Sequence, residues 1–267
     1  MYRLIVCDLD GTLRAFGDQV RAAVRDTMQA VVDAGAWITI GTGRGLQTLK
    51  PHLSTVVVNA PLICCNGGLI LDPSTHEVLC VRPTPLALAH EVIQLVLERH
   101  WGTMIYLDDM ETLLLQSSSE PGFELRRDGA TVRRVDDPVA ELVRPPHKVY
   151  FYTQSPQNTS EAAELLKQHI GERARIVAAG SRGLEMILPG VSKARAMARL
   201  AQRLCVAREE TIAVGDADND VEMLQWAGLG IAMGNAMPAA RAAADWIAPT
   251  VDEDGVAVAL KRFVLDR

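Results

Sequence analysis

The stretch Leu4-Ile5-Val6-Cys7-Asp8-Leu9-Asp10-Gly11-Thr12 opens with four apolar residues and ends abruptly in acids and a glycine. A short continuous apolar run of this kind reads as a strand buried on both faces, as in a parallel sheet covered by helices. The acids follow its carboxyl end. Downstream, Val20, Ala23, Val24, Met28, Val31 and Val32 recur at helical spacing between Asp18 and Ala34, and Gly35 stands where that helix should stop. Trp37-Ile38-Thr39-Ile40 predicts the next strand, with Gly41-Thr42-Gly43-Arg44 as the turn after it. Strand, helix and strand in this order make a parallel unit.

The same pattern returns in the last third of the chain. A helix over Ser192–Leu204 precedes the apolar run Thr211-Ile212-Ala213-Val214-Gly215, which again ends in acids, Asp216-Ala217-Asp218-Asn219-Asp220. A helix with Val221, Met223 and Leu224 follows, then the run Leu229-Gly230-Ile231-Ala232-Met233. Between the two halves the pattern changes. Helices are expected at Pro85–His100 and Ser160–Ile170, and amphipathic strands at Thr103–Leu107, Thr112–Gln116, His147–Thr153 and Leu184–Leu188, with Ser117-Ser118-Ser119 as a short loop. The expected fold is α/β: a Rossmann-like, doubly wound parallel sheet from residues 1–82 and 189–267, interrupted by an α+β domain over 83–188. Arg82-Pro83-Thr84-Pro85 and Pro189-Gly190 are the expected hinges.

Composition narrows the function classes. The chain has 267 residues, 48% hydrophobic and 22% charged, which suits a globular protein with a real core and excludes disorder or collagen. A formal charge of −6 provides no global positive field for nucleic acid or an anionic membrane, so neither is an expected partner and an anionic substrate must be handled locally. The N-terminal apolar run is too short for a signal peptide, and no stretch approaches the roughly 18–20 apolar residues of a spanning helix. Cysteines are odd in number, and Cys7, Cys64 and Cys65 lie in apolar runs, which fits buried thiols in a reducing cytoplasm.

Asp8/Asp10 and Asp216/Asp218/Asp220 sit beyond the carboxyl ends of two buried strands, where open parallel sheets bind ligands. Carboxylates gathered there repel one another unless a cation neutralises them, and an all-oxygen set suits Mg²⁺. Lys193 adds a positive charge, and Thr42 with Gly41 and Gly43 adds hydroxyl and amide donors at a strand-to-helix turn, a place that suits phosphate. Together these groups fit phosphoryl transfer.

Asp8-Leu9-Asp10-Gly11-Thr12, Thr42-Gly43-Arg44, Lys193 and Gly215-Asp216-x-x-Asn219-Asp220 resemble, in order and spacing, the four motifs of the haloacid dehalogenase superfamily. Asn66-Gly67-Gly68, Gly190-Val191-Ser192-Lys193, Met233-Gly234-Asn235-Ala236 and Glu253-Asp254-Gly255-Val256-Ala257 resemble its Cof-type branch, in which a large α/β cap is inserted between the second and third motifs. The resemblance implies a Mg²⁺-dependent phosphatase acting on a small phosphorylated metabolite, a sugar phosphate or a nucleotide-related phosphate. It implies Asp8 as the nucleophile that forms an aspartyl-phosphate. Asp10 is implied as the acid that protonates the leaving oxygen and then the base for the hydrolytic water. Thr42, Gly43 and Lys193 are implied to hold phosphoryl oxygens. Mg²⁺ would be bound by Asp8, the Asp10 carbonyl and Asp216, with Asp220 placing a water ligand or orienting Lys193. Arg44 stands between a substrate contact and a helix surface charge, and Asn219 is a turn residue able to touch phosphate. A phosphomutase of the same architecture and a non-hydrolytic phosphoryl-accepting regulator are the alternatives.

Other candidates take plainer roles. Asp218 reads as a solvated loop acid, Asn66 and Asn235 as loop-fixing hydrogen bonders, and Met223 and Trp226 as core. Asp108-Asp109, Arg126-Arg127 and Arg133-Arg134 read as solvated charge. Gly41, Gly43 and Gly45 lack dinucleotide-fingerprint spacing, and the histidines lack metal spacing. Ala217, Ala194 and Gly41 depart from residues common in the family, but none of these changes removes a reacting group.

Overall fold

The structure, a computed structural model, describes residues 1–116 and 130–266. Its chain divides into two compact units, one of Met1–Gly43, His52–Cys80 and Ser192–Arg267, the other of Arg44–Pro51 and Val81–Val191. The strand Leu4–Cys7 lies inside a five-stranded sheet, between Thr211–Gly215 on one side and Trp37–Ile40 on the other, with Leu229–Ala232 and Trp246–Ile247 beyond Thr211–Gly215. All neighbouring pairs are parallel, and Cys7 is in register with both Val214 and Ile40. Leu4, Ile5, Val6 and Cys7 are each fully buried, as an apolar run flanked by strands and covered on both faces must be. The register sets the carboxyl ends of Leu4–Cys7 and Thr211–Gly215 side by side, so the acidic runs that leave them emerge together. The α/β parallel-sheet class expected from the sequence is the class observed.

Helix boundaries shift in informative ways. The first helix spans Ala22–Asp33, starting later than Asp18, because residues 16–18 turn the chain before it. Gly35 follows it with φ +84°, the left-handed stop that favours glycine. The helix Lys193–Arg203 begins where expected, with Ser192 as N-cap accepting a hydrogen bond from the Arg195 amide. Lys193 therefore stands at the helix start with a defined direction.

The second unit is built on a six-stranded sheet in the order Arg175–Ala178, Gly183–Ile187, Lys148–Tyr152, Gly102–Tyr106, Thr112–Gln116, Thr131–Val135. Its pairs are antiparallel except the last, which is parallel. Val92, Val96, Ile105, Leu114, Phe151 and Leu166 join the helices Leu86–Glu98 and Pro156–Ile170 to one face, while Met104, Tyr106, Leu113 and Leu115 cluster on the other. The second helix starts a turn earlier than Ser160 because Ser155 caps it and Pro156 occupies its first position. Thr131–Val135 is largely exposed and carries two arginines, so it has no apolar alternation to announce it, and Arg175–Ala178 is equally faint in sequence. Residues 44–51, assigned to the core from sequence, cluster with the second unit, where the Gln47 amide donates to the carbonyls of Leu107 and Thr112 at 3.0 and 3.4 Å.

Arg133 pairs with Glu141 and Arg144 with Asp108; Arg133, Glu141 and Arg144 are exposed and Asp108 is half-buried, and Asp109 accepts from the Glu111 and Thr112 amides to cap a turn. Ser117–Ser119 and Arg126-Arg127 lie outside the described residues. Cys7, Cys64 and Cys65 are buried. Among the described residues, no helix is long and apolar enough to cross a membrane.

Candidate active site

The centre of the site is the Lys193 ammonium. Its Nζ donates to Asp8 Oδ1 at 2.6 Å and to Asp220 Oδ1 at 2.7 Å, and the Lys193 and Asp220 side chains are wholly buried. These contacts join residues 185 and 27 positions apart, which the parallel register brings to one end of the sheet. The second oxygen of Asp220 accepts from the amides of Asp216 and Ala217, both at 3.0 Å, so this carboxylate also ties down the turn that carries Asp216. Asp216 Oδ1 accepts from the Thr12 hydroxyl at 2.8 Å. Gly11 has φ +88°, and a Cβ there would meet Asp216 Oδ2 at 2.3 Å, so the glycine is needed both for the turn and for the close approach of the two loops. Its carbonyl accepts from the Asn235 amide, whose own oxygen accepts from the Val251 amide, a loop-fixing role for Asn235.

Asp8, Asp216 and Asp220 offer carboxylate oxygens within 4.8 Å of one another, and all three residues are buried. One ammonium among three carboxylates leaves surplus negative charge in a poorly solvated place. Asp8 responds as expected: burial pushes its carboxyl well above the usual range, Lys193 pulls it back in part, and Asp220 and Asp216 push it up again. Asp216 is pushed up to about 6, chiefly by burial and then by Asp220, against the lowering effect of the Thr12 hydrogen bond. Burial alone disfavours the Lys193 ammonium, but Asp220 and Asp8 outweigh it and hold the group above its ordinary value. These three carboxylates are placed so that they could hold a cation, and an oxygen-only donor set fits Mg²⁺.

The Asp10 carboxylate is not one of the three converging groups. Its Oδ1 accepts from Arg14 Nη2 at 2.7 Å and Nε at 3.1 Å. Sequence reasoning missed Arg14. The four-residue spacing from Asp10 was the available signal, but it lay in a turn where helical pair rules do not apply. Thr12 was likewise missed as a partner of Asp216.

Thr42 is buried, and its amide and carbonyl are held by the Ile63 carbonyl and the Asn66 amide. Asn66 Oδ1 in turn accepts from Asn219 Nδ2 at 2.8 Å, which joins the Thr42 turn to the Asp216–Asp220 loop. Gly43 lies against the Asn66 amide group, where a Cβ would come within 3.2 Å. Asp218 is exposed. Arg44 is grouped with the second unit, and its Nη1 donates to the Thr48 carbonyl.

The profile of the haloacid dehalogenase-like hydrolases matches residues 5–260, a span that includes every one of these groups. The chain belongs to this family. Among haloacid dehalogenase-like relatives, the HMP-PP phosphatase of Yersinia enterocolitica is 30% identical over 89% of this chain and 86% of its own. The 5-amino-6-(5-phospho-D-ribitylamino)uracil phosphatase of Bacillus subtilis is 28% identical over 98% of this chain and 96% of its own. A solved haloacid dehalogenase-like hydrolase from Bacteroides thetaiotaomicron superposes with a TM-score of 0.87 at 26% identity, over 98% of this chain and 99% of the other.

Proposed function

We propose that this haloacid dehalogenase-type enzyme is a Mg²⁺-dependent phosphatase of small phosphomonoesters, either sugar phosphates or nucleotide-related phosphates, that works through a phosphoryl group carried on Asp8. The observation that carries the proposal is the single buried ammonium of Lys193 shared between Asp8 and Asp220, with Asp216 alongside. Phosphatases acting on small metabolites among the relatives support the substrate class.

In the first step an Asp8 carboxylate oxygen bonds to phosphorus as the bond to the leaving oxygen breaks, and Asp10 gives that oxygen a proton. Water then attacks phosphorus while Asp10 takes its proton, phosphate departs and Asp8 is restored. Lys193 offsets charge between the nucleophile and the incoming phosphoryl group, and Asp220 holds Lys193 in place. Thr42, Gly43 and Asn219, linked through Asn66, line up donors for phosphoryl oxygens, with Arg44 as the cation at the end of that turn. Asp8, Asp216 and the Asp10 carbonyl would hold Mg²⁺, which when bound neutralises phosphoryl charge. Substrate selection is assigned to the insertion over 83–188. The buried cysteines Cys7, Cys64 and Cys65 suit a cytoplasmic setting.

The test is release of inorganic phosphate from a panel of phosphorylated metabolites, with Mg²⁺ and with a chelator. Turnover of several monoesters that needs Mg²⁺ and no bisphosphate activator is expected. Absence of phosphate release with every member, or release unaffected by the chelator, would overturn the reading.

A further inference from the structure

We infer that Arg14 is a positioning residue for the Asp10 carboxylate, a role that rests on the acid–base reading of Asp10 given above. Arg14 is only 3% exposed, and an arginine is costly to bury unless its charge and donors are met. Here they are met in one direction. Nε and Nη2 converge on the same oxygen, Asp10 Oδ1, while Nη1 donates to the Asp18 carbonyl at 2.8 Å and to His52 Nδ1 at 3.1 Å. Arginine is a donor only, so His52 Nδ1 must be the acceptor. His52 is itself buried. The backbone repeats the link, since the Gly11 amide donates to the Arg14 carbonyl at 2.8 Å.

Two donors on one oxygen remove the torsional freedom that a short carboxylate otherwise keeps. A lysine can supply charge at this place but not the fork. Arg14 touches neither phosphorus nor the leaving group in this scheme, and it acts through Asp10.

The test compares kcat/KM, which reports the steps up to departure of the leaving group, on two probes. One is p-nitrophenyl phosphate, whose leaving group needs little protonation; the other is the alkyl phosphomonoester turned over fastest in the panel above. Arg14→Met is expected to lose about 10–100-fold on the alkyl ester and under about threefold on p-nitrophenyl phosphate, part of the 10²–10⁴-fold that a positioned acid contributes. Arg14→Lys, which keeps the charge and serves if the methionine variant does not fold, is expected to show the same asymmetry in weaker form. Adding Arg14→Met or Arg14→Lys to Asp10→Asn should cost nothing further on the alkyl ester. Equal losses on both probes, a wild-type profile in both Arg14 variants, or additive losses in the double variant would overturn the inference. If Asp10→Asn itself shows no asymmetry, the acid–base reading fails instead, so the two failures are told apart.

Discussion

Two buried ammonium groups in this protein are treated differently. In the insertion, Lys148 bonds Glu185, with the rings of Tyr106 and Tyr150 at 5.2 and 5.7 Å from its Nζ. In the core, Lys193 bonds two carboxylates with a third alongside. A pair of the first kind sets one positive charge against one negative, and breaking it strands one of them. The second arrangement keeps surplus negative charge, which the proposed function assigns to a cation. Burial of a lysine is therefore not what distinguishes the site. The imbalance around it is.

The contrast can be broken or sharpened by experiment, and the largest effect concerns the reacting carboxylate. Asp8→Asn should reduce turnover by about 10³-fold or more, the scale of losing a catalytic nucleophile, with far-UV circular dichroism unchanged. Near-wild-type turnover would disprove its role. Next in size is the insertion pair. Glu185→Gln leaves Lys148 buried against a neutral partner, so denaturant unfolding should show a loss of about 3 kcal/mol. No loss would mean that the two lysines are not different in kind.

The core should respond with the opposite sign. Asp216 holds its proton up to a pH of about 6 in the folded chain, whereas the unfolded chain releases it near the ordinary value of 3.8. Between those values the folded state binds more protons, so the stability of the metal-free protein falls as pH rises through this window and is recovered on acidification. Asp216→Asn keeps an acceptor for Thr12 and removes the charge. In chelator at pH 7 it should therefore stabilise the protein, by on the order of 1–3 kcal/mol, and the gain should shrink at pH 5. Destabilisation at pH 7 would contradict the surplus-charge account. The smallest effect is expected from Mg²⁺ itself on the wild-type chain. At three times its dissociation constant a ligand adds about 0.8 kcal/mol, raising the thermal midpoint by about 2 °C, and Asp216→Asn should lose most of that rise.

Much of the centre was legible in the sequence because local rules suffice there. A continuous apolar run followed by acids places Asp8 and Asp216 beyond the ends of buried strands, and Ser192 announces the helix that begins at Lys193. Legibility fails where a partner is distant or a pattern is weak. Arg14 looks like an ordinary loop cation until its surroundings are known, and the solvated strand Thr131–Val135 lacks the alternation that reveals a half-buried one. The segment 44–51 follows the core in sequence but packs elsewhere, because Gln47 finds its acceptors at Leu107 and Thr112.

From sequence alone came the α/β class, the parallel units at both ends of the chain and the residue types of a phosphoryl-transfer centre, since periodicity and strand-end chemistry are short-range properties. The tertiary structure alone decided that Lys193 divides its donors between Asp8 and Asp220, that Asp220 also secures the Asp216 turn, and that Asp10 is gripped by Arg14. Those contacts depend on strand order and register, which bring together residues whose separation along the chain carries no record of their meeting.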